Sequence, residues 1–380
     1  MSEISAFKLL PSVEGPHDIG VVVGARNPGE ADSIWPTLSH LANNPDLSTT
    51  VLAADCAYDS LVNVKDISLI PFDEPGGVVI DRLAASGDVV AYMTGVSSKT
   101  DMHTKIARAL PGAKRVFVED YYGSAELDFE RSIREGLPLP DHIVTLDEFA
   151  RQGLVKKYGH VITDIASKIE VTGQPALDYL IDRDSTDTLR KEARSALGLS
   201  NADTLIACFS SVDTLELVDD FAEALAKNKE DISVVFNPHP RDLTSLLEYQ
   251  NAFRRRGIRL HNTENWTYRQ LLAASDIATI LPHSTLSLHA IKLGKPTLHV
   301  TNDKNGAAGE QVPVRRGASP LVFPSEFWDV TYPLLDVVSP ERAELLDTMD
   351  RLYRAKGGSA ARVAASMGRM AGALVVERAA

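Results

Sequence analysis

Along most of the chain, short apolar runs alternate with stretches whose apolar residues recur at helical spacing, and the joins carry glycine, proline or small polar residues. That alternation predicts parallel strands with helices on both faces of the sheet. "IGVVVGARNPGEADSIWPTLSHLANN" predicts strand, glycine-bearing loop and helix. "TTVLAAD", "GDVVAYMTG", "KRVFVEDYYG" and "DHIVTLDEFA" continue the series, and "SKIEVTGQPALDYL" ends it with a strand and a turn at Gly173-Gln174-Pro175. The charged stretch "DTLRKEARSALGLSNAD" leads to a second series, which opens at "TLIACFSSVDTLELVDDFAEALAKN" and runs through "ISVVFNPHPRD" to "ASDIATILPHSTLSLHAIKLGKPTLHV". The expected fold class is α/β, with two doubly wound domains facing a cleft. The expected division is a first domain over 1–175, a linker over 176–202, a second domain over 203–355 and a basic C-terminal helix over 356–380.

The strand ends hold the candidate chemistry, because open α/β sheets bind ligands at the carboxyl edge. Pro238 and Pro240 remove two backbone donors and force the chain out of the sheet, and a helical pattern begins over Leu243 to Leu247. His239 and Arg241 therefore stand on a strand-to-helix loop. Ser210 and Ser211 end the first strand of the second series, before a helix capped by Asp213 or Thr214. His283, Ser284 and Thr285 form the turn after Ile280 and Leu281, ahead of a helix from Leu286 to Leu293 that Gly294, Lys295 and Pro296 stop. Hydroxyls and free amides at such turns suit a phosphate, although plain helix capping also explains Ser284 or Thr285.

Glu119 and Asp120 close the run "RVFV", where a carboxylate could take a proton from a hydroxyl. Side chains alternate on a strand, so at most one of the pair faces a ligand, and a turn with a capping acid is the alternative. Glu30 follows a glycine loop at the mouth of the same edge, where it could serve the helix dipole or take part in catalysis. That loop is not GxGxxG, so no dinucleotide fingerprint is present.

Composition narrows the classes. The chain has 380 residues, 44% hydrophobic and 24% charged, which fits two soluble globular domains. A net charge of -13 argues against a protein built to hold nucleic acid. Cys56 and Cys208 lie in or beside apolar runs and are expected as reduced core residues; no spacing of Cys and His suggests a metal site. The first residues lack a signal-peptide pattern and no apolar run approaches 18 residues, so a cytoplasmic protein is expected. The tail carries Arg351, Arg354, Lys356, Arg362 and Arg369. It is expected either to pack across the domain boundary or to touch the inner face of an anionic membrane.

"ASDIATILPHSTLSLHAIKLGKP" resembles the "aD…SS…EA…lGkP" segment of glycosyltransferases with the two-Rossmann-domain architecture called GT-B. "VTGQPALDYL" resembles the segment that ends their first domain, and that of nucleotide-sugar 2-epimerases. The order acidic pair, His-Pro, Ser-Thr is similar to the motifs of bacterial sialyltransferases and polysialyltransferases. The resemblance implies that Glu119 or Asp120 is the general base. It implies that His239 contacts the donor phosphate or assists the departing nucleotide, and that Ser284 and Thr285 hold that phosphate. Arg241, Ser210, Ser211 and His283 join the donor side. An inverting, metal-independent transfer of a sugar, among them a sialic-acid-like one, from a nucleotide donor to a glycan or other hydroxyl acceptor follows. Its setting would be surface-glycan synthesis. The nucleotide sugar is then a substrate and no cofactor is implied.

Three departures matter. Gly123 follows the acidic pair only after two tyrosines, which leaves the base open between Glu119 and Asp120. His289 stands where many GT-B enzymes carry a glutamate for the donor ribose. "PGE" resembles the acidic loop of Kdo transferases and keeps Glu30 as a rival base. The competing readings are a nucleotide-sugar 2-epimerase, whose "HvEaGlRs" segment is replaced here by "FVEDYYGSAE", and a non-catalytic sugar-nucleotide-binding protein.

Overall fold

A computed structural model describes residues 19–26, 28–62, 64, 67–72, 77–95, 101–178, 183–263, 266–304, 306–353 and 357–379. Valine-rich runs with no polar face become strands buried on both sides. The first sheet holds β1 (Ile19–Ala25), β2 (Leu47–Ala53), β3 (Ser68–Pro71), β4 (Val89–Thr94), β5 (Lys114–Val118), β6 (His142–Thr145) and β7 (Ile169–Val171), of which β4 fits that pattern throughout. They pair in parallel in the order β3-β2-β1-β4-β5-β6-β7. The winding reverses between β1 and β4, which makes the carboxyl ends of those two strands the crevice for a ligand.

The second sheet holds β8 (Thr204–Ser210), β9 (Ile232–Asn237), β10 (Ile277–Leu281), β11 (Thr297–Val300) and β12 (Leu321–Val322). Its parallel order is β12-β11-β10-β8-β9, so the reversal falls between β8 and β10. The doubly wound α/β reading holds for both sheets. Strands β3 and β12 are additions to it: β3 is only half-buried and β12 has two residues, so neither gives a clear apolar run.

The chain divides into one unit of Met1–Asp178 with Gly357–Ala380 and a second of Tyr179–Lys356. The stretch 176–202 is not a free linker. Its helix Arg183–Ala196 puts Ala193 into the second core beside Leu205 and Leu271, and Arg194 is buried against the Ala274 carbonyl and Asp276. The basic C-terminal segment forms a helix, as expected, and that helix belongs to the first unit. In its helix Ser359–Ala379, Val363, Met367 and Ala371 complete the first unit's core with Val21, Ile34 and Val116. Arg362 donates to the Thr172 carbonyl at 2.6 Å, and Arg369 pairs with Glu170 at 2.6 Å. Gly173 permits the close approach: its φ is 82°, and a Cβ there would lie 2.3 Å from the Ser359 hydroxyl. Of the other basic residues in this tail, Arg354 and Lys356 lie outside the described residues. Met367→Ala should leave a cavity in the first unit and remove about 2–5 kcal/mol of stability, read as a lower urea midpoint. A midpoint unchanged from the parent protein would show that this helix does not serve the core.

Three local expectations shift. The helix after "NPHPRD" begins at Leu246, because Ser245 and Glu248 form a capping box, and Leu243 is left 96% exposed. Thr214 occupies the cap position before Leu215–Leu225, but its hydroxyl donates to the Ser211 carbonyl and accepts no helix amide. The helix from Leu286 ends at Lys292, with Gly294 at φ 66° closing it. Cys208 is buried and free, its thiol pushed up to about 12 by burial; the side chain of Cys56 lies outside the described residues. Among the described residues, no helix is long and apolar enough to cross a membrane.

Candidate active site

In the first unit, Glu30 stands in the opening turn of helix Pro28–Ala42, at the β1/β4 reversal. It turns inward and is fully buried, instead of facing the mouth. Its Oε2 accepts the Arg26 amide at 2.8 Å, and its Oε1 lies 2.7 Å from His103 Nε2. Gly95, just past β4, makes the room: a Cβ there would come within 3.1 Å of Glu30 Cγ. His103, on helix Asp101–Ala109, was not anticipated. It shares that helix's buried face with Met102, Ile106 and Ala107, and this helical spacing was the available signal.

The acidic pair after β5 splits as strand alternation requires. Glu119 is buried, and its Oε1 accepts the Gly123 amide at 3.2 Å, closing the turn that starts helix Ser124–Glu135. Gly123 holds φ 81° there. Burial holds the Glu119 carboxyl well above the ordinary glutamate range.

Asp120 is half-buried and points elsewhere. Burial first, and then the negative charge of Glu30, push its pKa up to about 7, against bonds from Ser124 and nearby amides that lower it. A carboxyl poised near neutrality can exchange a proton with a hydroxyl, which one at its ordinary value does poorly. Gln174 fixes its backbone, donating to the Asp120 carbonyl at 2.6 Å and to Ser33 of the Glu30 helix at 3.2 Å. The first unit therefore gathers Asp120, Glu30 and His103 at one sheet edge, with Glu119 folded into the adjoining turn.

In the second unit the candidates sit around the β8/β10 reversal. The Ser211 amide donates to the Leu281 carbonyl at 2.7 Å, and Ser211 Oγ lies 3.1 Å from His283 Nε2, so the two loops meet. The Ser210 hydroxyl is buried and makes no hydrogen bond among the described residues. His239 follows β9, where its Nδ1 accepts the Arg241 amide at 3.1 Å. Partial burial and then the Arg241 charge lower its pKa, with Asp242 opposing. The ring is therefore neutral at pH 7 with its proton on Nε2, a donor suited to a phosphate oxygen.

The loop is anchored by a residue the sequence did not single out. Asp242 accepts from Tyr249 Oη, which also touches the buried Thr214 hydroxyl at 3.3 Å. Ser284 Oγ accepts the Leu286 amide at 3.2 Å, as a cap does, and Thr285 makes no side-chain cap bond. His289 is buried edge-on against Tyr268 at 5.1 Å, and burial drives its pKa down to about 3. It is a packed core imidazole. Among the described residues no group of three or more His, Cys, Asp or Glu is arranged to hold a metal ion.

No family model matches the sequence, and no curated protein matches it. Among solved structures the chain is similar to UDP-GlcNAc 2-epimerase from Neisseria meningitidis bound to UDP-GlcNAc, with a TM-score of 0.67 and 14% identity, covering 92% of this chain and 100% of that one. A putative UDP-N-acetylglucosamine 2-epimerase from Listeria monocytogenes gives 0.66 at 16% identity, covering 92% and 96%. The wall teichoic acid polymerase TagF gives 0.63 at 12% identity, covering 93% and 89%. At such identity the likeness establishes the fold. The chain has the two-sheet α/β fold of GT-B proteins.

Proposed function

We propose that the protein transfers a sugar from a nucleotide donor to a hydroxyl acceptor. The first unit supplies the base and the second unit holds the nucleotide. The observation that carries this reading is Asp120, a half-buried carboxyl just past β5, the strand next to the β1/β4 reversal, whose pKa of about 7 reflects burial and then the charge of Glu30. Asp120 takes the acceptor proton as the new glycosidic bond forms. Neutral His239 donates from Nε2 to the leaving phosphate, and the hydroxyls of Ser210 and Ser211 supply further donors on the same sheet edge. Arg241, His283, Ser284 and Thr285 complete that donor side. The order of motifs keeps a sialic-acid-like sugar among the candidates. Should the acceptor be held at a membrane, the exposed Arg369 of the C-terminal helix, paired with Glu170, is one basic group that could meet it.

A 2-epimerase is the second reading. It is favoured by the gathering of several protonatable groups, Glu30, His103 and Asp120, in one unit, and by the likeness to two epimerase structures. Incubation with nucleotide sugars built on CMP, CDP, UDP and GDP, with and without acceptor, separates the readings. Nucleotide release that requires acceptor is the expected result. Conversion of the donor sugar without acceptor assigns an epimerase, and binding without turnover leaves a non-catalytic nucleotide-sugar-binding protein.

A further inference from the structure

Glu30 and His103 reach each other from opposite faces of the first sheet. The Glu30 helix packs on one face, where Ile34 shares a core with Val118. The His103 helix packs on the other, where Met102 and Ile106 meet Val22 and Tyr92. Their 2.7 Å bond therefore passes over the carboxyl edge at the β1/β4 reversal. Two glycines leave room for it: a Cβ on Gly24 would lie 3.4 Å from His103 Nδ1, and one on Gly95 3.1 Å from Glu30 Cγ. The polarity of the bond follows from the other ring nitrogen. Nδ1 is enclosed and has no hydrogen-bond partner among the described residues. A buried N–H without an acceptor is rarer than a buried lone pair without a donor, so the ring carries its proton on Nε2 and donates it to Glu30 Oε1. The Arg26 amide donates to Oε2, and with both oxygens accepting Glu30 is a carboxylate.

Asp120 stands on the Glu30 side of this edge. The Glu119 amide still donates to the Val144 carbonyl at 3.0 Å, as a strand residue does, so alternation runs through it and sends Asp120 to the side of Val118. The Gln174 side chain spans the remaining gap, from the Asp120 carbonyl to Ser33, one turn along the Glu30 helix. We infer that His103 is a positioning residue of this site: its Nε2 proton keeps Glu30 charged on the face that Asp120 shares. This rests on the transfer reading above, in which Asp120 is the base. The Glu30 charge makes Asp120 hold a proton more tightly, which makes it the stronger base toward an acceptor hydroxyl. Without the His103 donor the buried Oε1 loses its hydrogen bond, and uptake of a proton by Glu30 becomes the lower-energy state. Other charged groups on and around these elements are turned elsewhere: Glu119 to the Gly123 amide, Asp147 to Tyr122, Asp178 to the Ser359 amide and Arg362 to the Thr172 carbonyl. Lys105 lies over the Phe72 ring, and Asp59 and Asp81 face solvent.

The test follows the Asp120 carboxyl by ¹³C NMR across pH 4–9 in the full chain, with Asp120→Asn assigning the signal, beside the pH profile of transfer. His103→Leu should lower the Asp120 midpoint and the acidic limb of the rate by about one pH unit, while His103→Gln, which keeps an N–H donor, should stay within about 0.3 unit. His103→Leu combined with Glu30→Gln should match Glu30→Gln alone, because His103 acts through Glu30. An Asp120 midpoint unmoved by His103→Leu would overturn the inference and leave the transfer reading standing. Equal falls in His103→Leu and His103→Gln would reduce His103 to packing, and a further fall in the double variant would break the link through Glu30. Absence of transfer with every donor, beside the expected Asp120 shifts, would sink the transfer reading and keep the control of Asp120 by His103. Should His103→Leu fail to fold, ¹⁵N spectra of the parent protein decide. The ring should carry a proton on Nε2 and none on Nδ1 while Asp120 titrates, and a proton on Nδ1, alone or with Nε2, refutes the inference.

Discussion

Asp120→Asn is expected to cut transfer by about 10²–10⁴-fold while leaving nucleotide affinity nearly unchanged, because an amide keeps the shape and removes the proton acceptor. In the parent protein the rate should rise with pH through about 7, as burial and the Glu30 charge hold Asp120 protonated below that point. Stability should run the other way. The folded-state pKa is raised above the ordinary 3.8, so the contribution of protonated Asp120 is complete below pH 4 and is lost as pH rises through about 7. Asp120→Asn should therefore melt higher than the parent at pH 8, with the gap closing toward pH 4. Glu30→Gln removes one of the two causes and should move the acidic limb of the rate profile to lower pH. Glu119→Gln should do little, since an amide carbonyl can still accept the Gly123 amide. An Asp120→Asn variant of normal rate beside a dead Glu30→Gln would hand the base to Glu30.

His239→Ala should raise the nucleotide dissociation constant about 10–100-fold, the loss of one hydrogen bond to a charged group, roughly 1.5–3 kcal/mol. Because Nδ1 is occupied by the Arg241 amide, only the Nε2 proton faces outward, and His239→Gln, which offers an N–H, should recover part of the affinity. Tyr249→Phe removes only the donor to Asp242 and leaves the proposed phosphate donors in place, so it should weaken binding less than His239→Ala does. Isothermal titration of the three variants gives the order, and an His239→Ala variant as tight as the parent would take His239 out of the site.

The strands that were legible from the amino-acid order are those buried on both faces, such as β1, β4, β8 and β10, whose apolar runs stand out against polar joins. β3 was not, because each of its residues keeps some solvent contact and its side chains need not be apolar. The C-terminal helix was visible as a helix, but its alanine-rich face does not name the sheet it covers. At the sites, Asp120 and His239 were legible from position alone, since residues just past a buried strand must stand at the carboxyl edge. Which of Glu119 and Asp120 is tied into the turn was not, because that depends on the left-handed Gly123 turning an amide toward one carboxylate. His103 and Gln174, which bond Glu30 and the Asp120 backbone, stand on a helix face and in a turn. Their importance comes from what burial brings beside them across long stretches of sequence.

The return of helix Ser359–Ala379 to the first unit bears on how the chain is made. A ribosome releases the seven strands of that sheet early, but Val363, Met367 and Ala371, which pack over β4 and β5, come after the whole second unit, roughly 180 residues later. At typical rates of synthesis that delay is about 10–40 s. Through it the sheet keeps an uncovered apolar face, the kind of surface chaperones hold and neighbouring chains stick to. The second unit is continuous and meets no such wait, so the part of the protein that is translated first is the last to be finished.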